Sequence, residues 1–266
     1  MIKNPYEAIK THVRKQQSGS WVPVKTLSEA LDVDFSRKQV ISAVGGGGKT
    51  AALHCLAEEL AASGKKVILT TSTHMMMPET ADILTSDPAV IAGMLEENHF
   101  AIAGIPAGDG KMAGIPEGNI NDLITLADVV LVEADGSRQL PLKLPADYEP
   151  VIPFETTHVL VLAGMNAIGR RVCDVCHRPE RVKVLIKAED NHLITPTDAA
   201  LILKEGYWIP HVENMHRTGT VILNQADDGT RYADAVETAA LLNPIPCLIT
   251  QLKEMNTHED IRKSLA

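Results

Sequence analysis

One junction restricts this chain more than any other. A short apolar run over residues 40–44 enters four consecutive glycines, then a lysine and a threonine. Directly afterwards Leu53, Leu56, Ala57 and Leu60 recur at helical spacing, and Gly64 closes the run. A short apolar segment that stops at glycine reads as a buried strand. A buried strand turning straight into a helix is the first half of a β-α-β unit. The alternation continues along the chain. Apolar runs at 66–71, 99–103, 128–133, 158–162, 220–223 and 245–249 predict further strands, and 88–97, 197–204 and 232–242 predict helices. Such alternation requires a largely parallel sheet with right-handed crossovers. Aromatic residues are only 3% of the 266, so the core must be aliphatic, which suits strands buried on both faces.

The junction also has a chemistry. Gly45, Gly46, Gly47 and Gly48 let the backbone turn with its N–H groups inward, where amides cradle phosphate oxygens. A helix starting near Lys49 adds its positive end. Lys49 is placed for the β- and γ-phosphates and the Thr50 hydroxyl for Mg²⁺. The pattern G-x-x-x-x-G-K-[ST] is met except at its first position, which is Ala43. The expected ligand is a nucleoside triphosphate, ATP or GTP, with Mg²⁺. The competing reading, a flexible glycine turn, does not account for the strand before and the helix after. The expected fold class is therefore α/β: a P-loop three-layer fold with a mostly parallel sheet flanked by helices, plus a short N-terminal helical extension. Residues 1–37 form that extension, with candidate helices at 6–15 and 27–31, and residues 38–266 form the nucleotide-binding domain.

Two acids end the predicted strand 128–133. Glu133 takes the strand-end register and is the candidate Mg²⁺ partner; Asp135 is the alternative partner or a water-positioning group. Lys49, Glu133 and Asp135 are thus the candidate catalytic residues, and Thr50, Glu133 and Asp135 the candidate metal ligands. A later strand runs into Asn224-Gln225-Ala226-Asp227. Guanine-binding proteins carry N-K-x-D at such a place, where the aspartate accepts two hydrogen bonds from the base. Here Gln225 stands for the lysine and shortens the cover over the base, and a polar turn is the alternative reading.

Other features exclude function classes. A net charge of −9 repels phosphate backbones, so nucleic acid is not the expected partner. No apolar run approaches membrane-spanning length, and Met1-Ile2-Lys3-Asn4-Pro5 lacks a signal-peptide core, so a cytoplasmic setting is expected. Cys173-Asp174-Val175-Cys176-His177 spells the c-type haem attachment pattern, but that chemistry needs export. Zinc there would need further ligands, and a transient metal or chalcogen contact is the remaining alternative. Cys55 and Cys247 read as core. Met75-Met76-Met77 reads as packing rather than as a soft-metal site. Two segments rich in Gly and Pro, 104–118 and 136–153, are too long for ordinary connections and read as functional loops.

Several separated segments agree with one family. They are the glycine loop, Thr70-Thr71-Ser72-Thr73-His74-Met75, Glu133-Ala134-Asp135-Gly136-Ser137-Arg138, Pro141-Leu142-Lys143-Leu144-Pro145, Glu149-Pro150-Val151-Ile152-Pro153, His177-Arg178-Pro179-Glu180 and Leu223-Asn224-Gln225-Ala226-Asp227. On these the chain resembles the YqeC family of selenium-dependent hydroxylase accessory, or selenium cofactor biosynthesis, proteins. The resemblance implies a P-loop NTPase similar to nucleotide-dependent metallocentre maturation factors. Its implied setting is the maturation of a selenium-dependent molybdenum hydroxylase, with a selenium or molybdopterin species and the client hydroxylase as partners. It adds Thr71, Thr73, His74, His177 and Arg178 to the candidate binding residues beside Asn224 and Asp227. Maturation factors of this kind often carry a second lysine just after the first loop glycine. Val44 stands there, so a homodimer built on that lysine is not implied, although a homodimer of another kind is compatible. The alternative function is an ATP-dependent small-molecule kinase or ligase, with Arg138 and Lys143 holding an anionic acceptor.

Overall fold

The computed structural model describes residues 12–76, 84–108, 110–114 and 120–252. It begins with a hairpin of β1 (His12–Gln17) and β2 (Ser20–Val24), then a short helix, α1 (Leu27–Ala30). β3 (Gln39–Gly45) enters the glycine loop, and α2 (Lys49–Ala62) leads to β4 (Val67–Thr71). β5 (His74–Met76), β6 (Leu84–Thr85), α3 (Pro88–Asn98) and β7 (Phe100–Ala103) follow. A second hairpin joins β8 (Ile105–Gly108) to β9 (Lys111–Ala113), and α4 (Ile120–Leu126) leads to β10 (Val129–Glu133). Next come β11 (Leu142–Lys143), β12 (His158–Gly164), α5 (Val172–Val175), β13 (Cys176–His177), α6 (Pro179–Ile186) and α7 (Pro196–Leu203). A π-helical segment (Lys204–Glu213) continues α7, and β14 (Thr218–Asn224), α8 (Gly229–Leu242) and β15 (Cys247–Gln251) complete the described elements.

Ten of these strands form one sheet in the order β2-β1-β15-β14-β12-β3-β10-β4-β7-β6. From β15 to β6 every pairing is parallel; only β1 with β15 and β1 with β2 are antiparallel. Period-two alternation along β3 feeds both faces. Val40 and Val44 point into a core closed by Ile91 and Leu95 of α3, Ile202 and Leu203 of α7, and Ala235 and Leu242 of α8. Ile41 and Ala43 point into the opposite core, closed by Leu53, Leu56 and Leu60 of α2 and Leu27 of α1. Full burial of each such leucine stabilises the fold by about 1.5–3 kcal/mol. The result is three layers, helices on both faces of a mostly parallel sheet, as the sequence reading expects.

The edge departs from expectation. The helix expected over residues 6–15 lies partly outside the described residues, and its described part is strand β1. Val13, 1% exposed, packs in the core with Leu248 and Leu252, and the segment is strand because it pairs antiparallel with both β15 and β2. Gly19, at φ 84°, makes the turn to β2. The 104–118 segment is not an irregular loop in its described part, where β8 and β9 pair and β9 also pairs with β5.

Candidate functional site

β3 is where the sheet changes direction, because the chain goes from β3 to β4 on one side and later from β10 to β12 on the other. Ligands of open α/β sheets bind outside the strand carboxyl ends at such a point, and the glycine loop lies there. The loop is boxed in. Gly45 has φ 94° and Gly47 φ 74°, conformations that side chains resist. A Cβ on Gly45 would strike the carbonyl of Leu162, and one on Gly47 the backbone of Gly164. Both positions therefore need glycine for space as well as for torsion.

The amides correct one expectation. Gly45 N–H donates to Asp135 Oδ2 (3.1 Å), Gly46 N–H to the Leu162 carbonyl (3.0 Å) and Gly47 N–H to the Leu140 carbonyl (3.2 Å). These three hold the loop in shape rather than facing outward. The donors left for an anion are the amides of the first turn of α2, which have no intrahelical acceptors. Gly48, at φ 110°, is the residue that turns the chain into that helix.

Lys49 is buried. Its Nζ donates to the Gly45 carbonyl (2.8 Å) and to Ser137 Oγ (3.3 Å). Burial pushes its pKa below the usual lysine value, opposed by the neighbouring Glu133 and Asp135 carboxylates. Glu133, at the end of β10, accepts from the Thr50 hydroxyl at 2.7 Å. Burial raises its pKa, while Lys49 and Thr50 pull it down. Thr50 and Glu133 thus stand together, as two neighbouring strand ends and one helix start require.

Asp135 has a different place from the metal-ligand or water-positioning role expected of it. It is fully buried, paired with Lys143, and accepts from Gly45 N–H and from the Tyr207 hydroxyl at 2.9 Å. Both of its oxygens are engaged within the fold. Lys143 is equally buried and also meets Glu149 Oε2 (2.7 Å) and the Gly136 carbonyl (2.7 Å). It is no open anion-binding cation, the part expected of it with Arg138. Arg178 continues the chain of charges by donating to Glu149 Oε1 at 2.8 Å. Burial would raise the Glu149 pKa, but hydrogen bonds from Lys143, the Ala146 amide and Arg178 bring it below the usual carboxylate value. β11 pairs with β13 so that Lys143 lies opposite His177. His177 is half-buried, and its imidazole pKa is lowered by burial and then by Lys143, Arg178 and Arg138. Arg138 itself is exposed. Tyr207 is a member sequence reasoning missed. It lies on the π-helical segment, 72 residues from Asp135, and no local signal marks it.

The other predicted residues divide. Thr71 joins the site, donating its hydroxyl to the Glu133 carbonyl at 2.7 Å, with Thr73 next to it. His74 is exposed on β5. Asn224 does not face a base. It donates to the Gly47 carbonyl (2.9 Å) and accepts from Thr250 Oγ1 and the Leu252 amide, both at 2.9 Å. Asp227 is partly exposed and pairs with Arg231 at 3.2 Å. Cys173 is exposed, whereas Cys176 is buried, which pushes its thiol pKa up to about 12 and keeps it protonated at neutral pH. Among the described residues no three His, Cys, Asp or Glu side chains converge as a metal site. Met75 is packed in the core, and Met77 lies outside the described residues. No described helix is long and apolar enough to cross a membrane.

Comparison with known proteins adds to this geometry. Residues 41–180 match the family described as YqeC protein. The chain is 41% identical over 152 residues to "Uncharacterized protein YqeC" of Escherichia coli (strain K12), covering 54% of this chain and 59% of that relative. Among solved structures it is similar to chloroplast FtsY from Physcomitrella patens, with 17% identity, TM-score 0.39, and 90% and 69% of the two chains covered. It is also similar to the cell division protein FtsY from Thermotoga maritima, with 17% identity, TM-score 0.38, and 89% and 73% covered.

Proposed function

We propose that this chain, which belongs to the YqeC family, binds a nucleoside triphosphate and hydrolyses it with Mg²⁺ to assist maturation of a selenium-dependent molybdenum hydroxylase. The observation that carries the reading is the convergence of Lys49, Thr50 and Glu133. The first turn of α2, the buried ammonium and the strand-end carboxylate meet at the carboxyl edge of β3 and β10. The first-turn amides and Lys49 supply donors to phosphate oxygens. Burial disfavours the Lys49 ammonium, and the attraction of the Glu133 and Asp135 carboxylates opposes that effect.

The residues present fit Mg²⁺. Thr50 and Glu133 offer a hydroxyl and a carboxylate oxygen side by side, and Mg²⁺ takes oxygen ligands while keeping several waters. Held there, the ion would neutralise charge on the phosphates. Among the described residues the buried Glu133 would be the carboxylate ligand, since both Asp135 oxygens are engaged elsewhere. The maturation setting rests on the resemblance drawn from the sequence motifs, and the triphosphate reading on the loop and its partners.

The test is calorimetry and turnover on three proteins. Lys49→Ala is expected to weaken Mg²⁺-nucleotide binding by roughly tenfold or more, because a charge-assisted hydrogen bond contributes about 1.5–3 kcal/mol. Glu133→Gln is expected to bind nucleotide and lose most turnover. Equal affinity in Lys49→Ala would sink the proposal. Turnover that begins only when an acceptor is added would replace it with the kinase or ligase reading.

A further inference from the structure

A cleft of about 430 Å³ lies beside the site, at the carboxyl ends of β4 and β10. Its floor is Thr70, Thr71 and Val132. One wall is the end of β9 with the start of α4, including Asn121; the other is the segment from Val151 to Glu155. Both walls are tied down. A Cβ on Gly114 would collide with the Thr71 carbonyl, so the hairpin end is pressed against β4. Ser72 Oγ donates to the Val151 carbonyl at 2.5 Å, and Val151 N–H donates to the Ala134 carbonyl at 3.0 Å. Thr70 and Thr71 donate their hydroxyls to the carbonyls of Ala103 and Glu133, both at 2.7 Å.

What remains free sets the chemistry. Among the described residues the Asn121 carboxamide and the half-buried Glu155 carboxylate line the cleft without a hydrogen-bond partner. Among the described residues no Lys, Arg or His lines it, and Ile152, Pro153 and Phe154 give it an apolar side. A carboxylate in a site without cations disfavours anions and accepts N–H donors. A ring edge with two parallel N–H groups matches one carboxylate in the bidentate manner. The apolar side suits a flat face, and Phe154, 87% exposed, is available to cover it. A well-formed cleft with apolar walls and a few convergent polar groups is the usual form of a small-molecule site.

We propose that this cleft binds a second ligand, an uncharged ring compound of about nucleoside size that presents N–H donors to Glu155. It lies next to the triphosphate site through Thr71 and Glu133, yet its recognition does not require a nucleotide.

Guanosine is a suitable probe, because it is uncharged and carries such an N–H edge. It is titrated into the full chain by calorimetry, alone and with saturating Mg²⁺ and a non-hydrolysable ATP analogue. The expected result is binding under both conditions, weakened at least about fivefold by Glu155→Gln, as loss of a charge-assisted hydrogen bond implies. Val151→Trp, which fills the cleft, is expected to abolish guanosine binding, and neither variant to alter affinity for the analogue. Thermal unfolding checks that both variants fold; if Val151→Trp does not, Glu155→Gln decides. The proposal is overturned by absence of guanosine binding, by its loss when the analogue is added, or by binding that the folded variants leave intact. Failure of the analogue itself to bind speaks against the triphosphate reading, and the titration with guanosine alone still decides this one.

Discussion

Asp135 and Lys143 form an ion pair with neither side chain open to solvent, and the same carboxylate receives the amide proton of Gly45. The glycine loop is therefore held from behind by a buried charge pair. Removing Lys143 leaves the Asp135 carboxylate buried without its ion-pair partner, which costs about 3–5 kcal/mol, whereas removing the Asp135 charge leaves Lys143 still paired with Glu149. Lys143→Met is expected to lower unfolding stability by that order, and Asp135→Asn by less, because Glu149 still holds Lys143. The double variant is expected to lose less than the two losses combined, because it strands no charge. Urea unfolding of the four proteins checks this. Additive losses would show that the two groups act independently.

His158 makes stability depend on pH. Its ring nitrogens meet the hydroxyls of Thr218 (2.8 Å) and Thr220 (3.0 Å), and burial lowers its pKa from 6.5 to about 4. In the unfolded chain the imidazole takes up a proton near pH 6.5, whereas the folded protein refuses it until about pH 4. The contribution is complete above pH 6.5 and is lost as pH falls through this window, by about 3 kcal/mol in all. His158→Gln is expected to be less stable at neutral pH and to show a shallower decline with acid. Urea midpoints measured across the window decide; parallel declines would mean that other groups carry the pH dependence.

Asn224 and Asp227 are expected to fail in different ways. Asn224→Ala removes a donor to the loop carbonyl of Gly47 and leaves the buried Leu252 amide without its acceptor. It should cost about 1–3 kcal/mol of stability and weaken nucleotide binding without regard to the base. Asp227→Ala should leave stability unchanged within error. Asp227 is the remaining candidate to read guanine, and its partial exposure and its Arg231 pair limit the effect. A GTP preference over ATP of roughly threefold to tenfold, abolished in Asp227→Ala, is expected from one screened hydrogen-bonding charge. Competition binding at fixed Mg²⁺ measures it, and equal affinity in the unaltered protein would make this segment an ordinary turn.

Much of the architecture is local and was legible in the sequence. The apolar runs that became β3, β4, β7, β10, β12, β14 and β15 bury both faces, so their composition alone marks them as interior strands. The spacing of Leu53, Leu56 and Leu60 marks α2, and the glycines before Lys49 and Thr50 mark the loop, because torsional freedom and helical periodicity belong to neighbouring residues. The π-helical segment and the edge hairpin were not legible. Among the described residues of β1 only Val13 is buried, between His12 and Arg14, and β1 becomes strand by pairing with β2 and with β15, more than 200 residues on.

The sequence by itself determined which residues could carry the chemistry: Lys49, Thr50, and two acids after an apolar strand. It could not assign the acids. Strand register favours Glu133 as the metal partner, yet Asp135, two residues on, stays open as the alternative partner or a water-positioning group. Tertiary structure turned Glu133 toward Thr50, and it surrounded Asp135 with Lys143, Tyr207 and the Gly45 amide. The physical reason is that a buried carboxylate must find charge or hydrogen-bond donors wherever the fold brings them. For Asp135 those donors come from a loop, a distant helical segment and a neighbouring strand, which only packing of the whole chain makes neighbours.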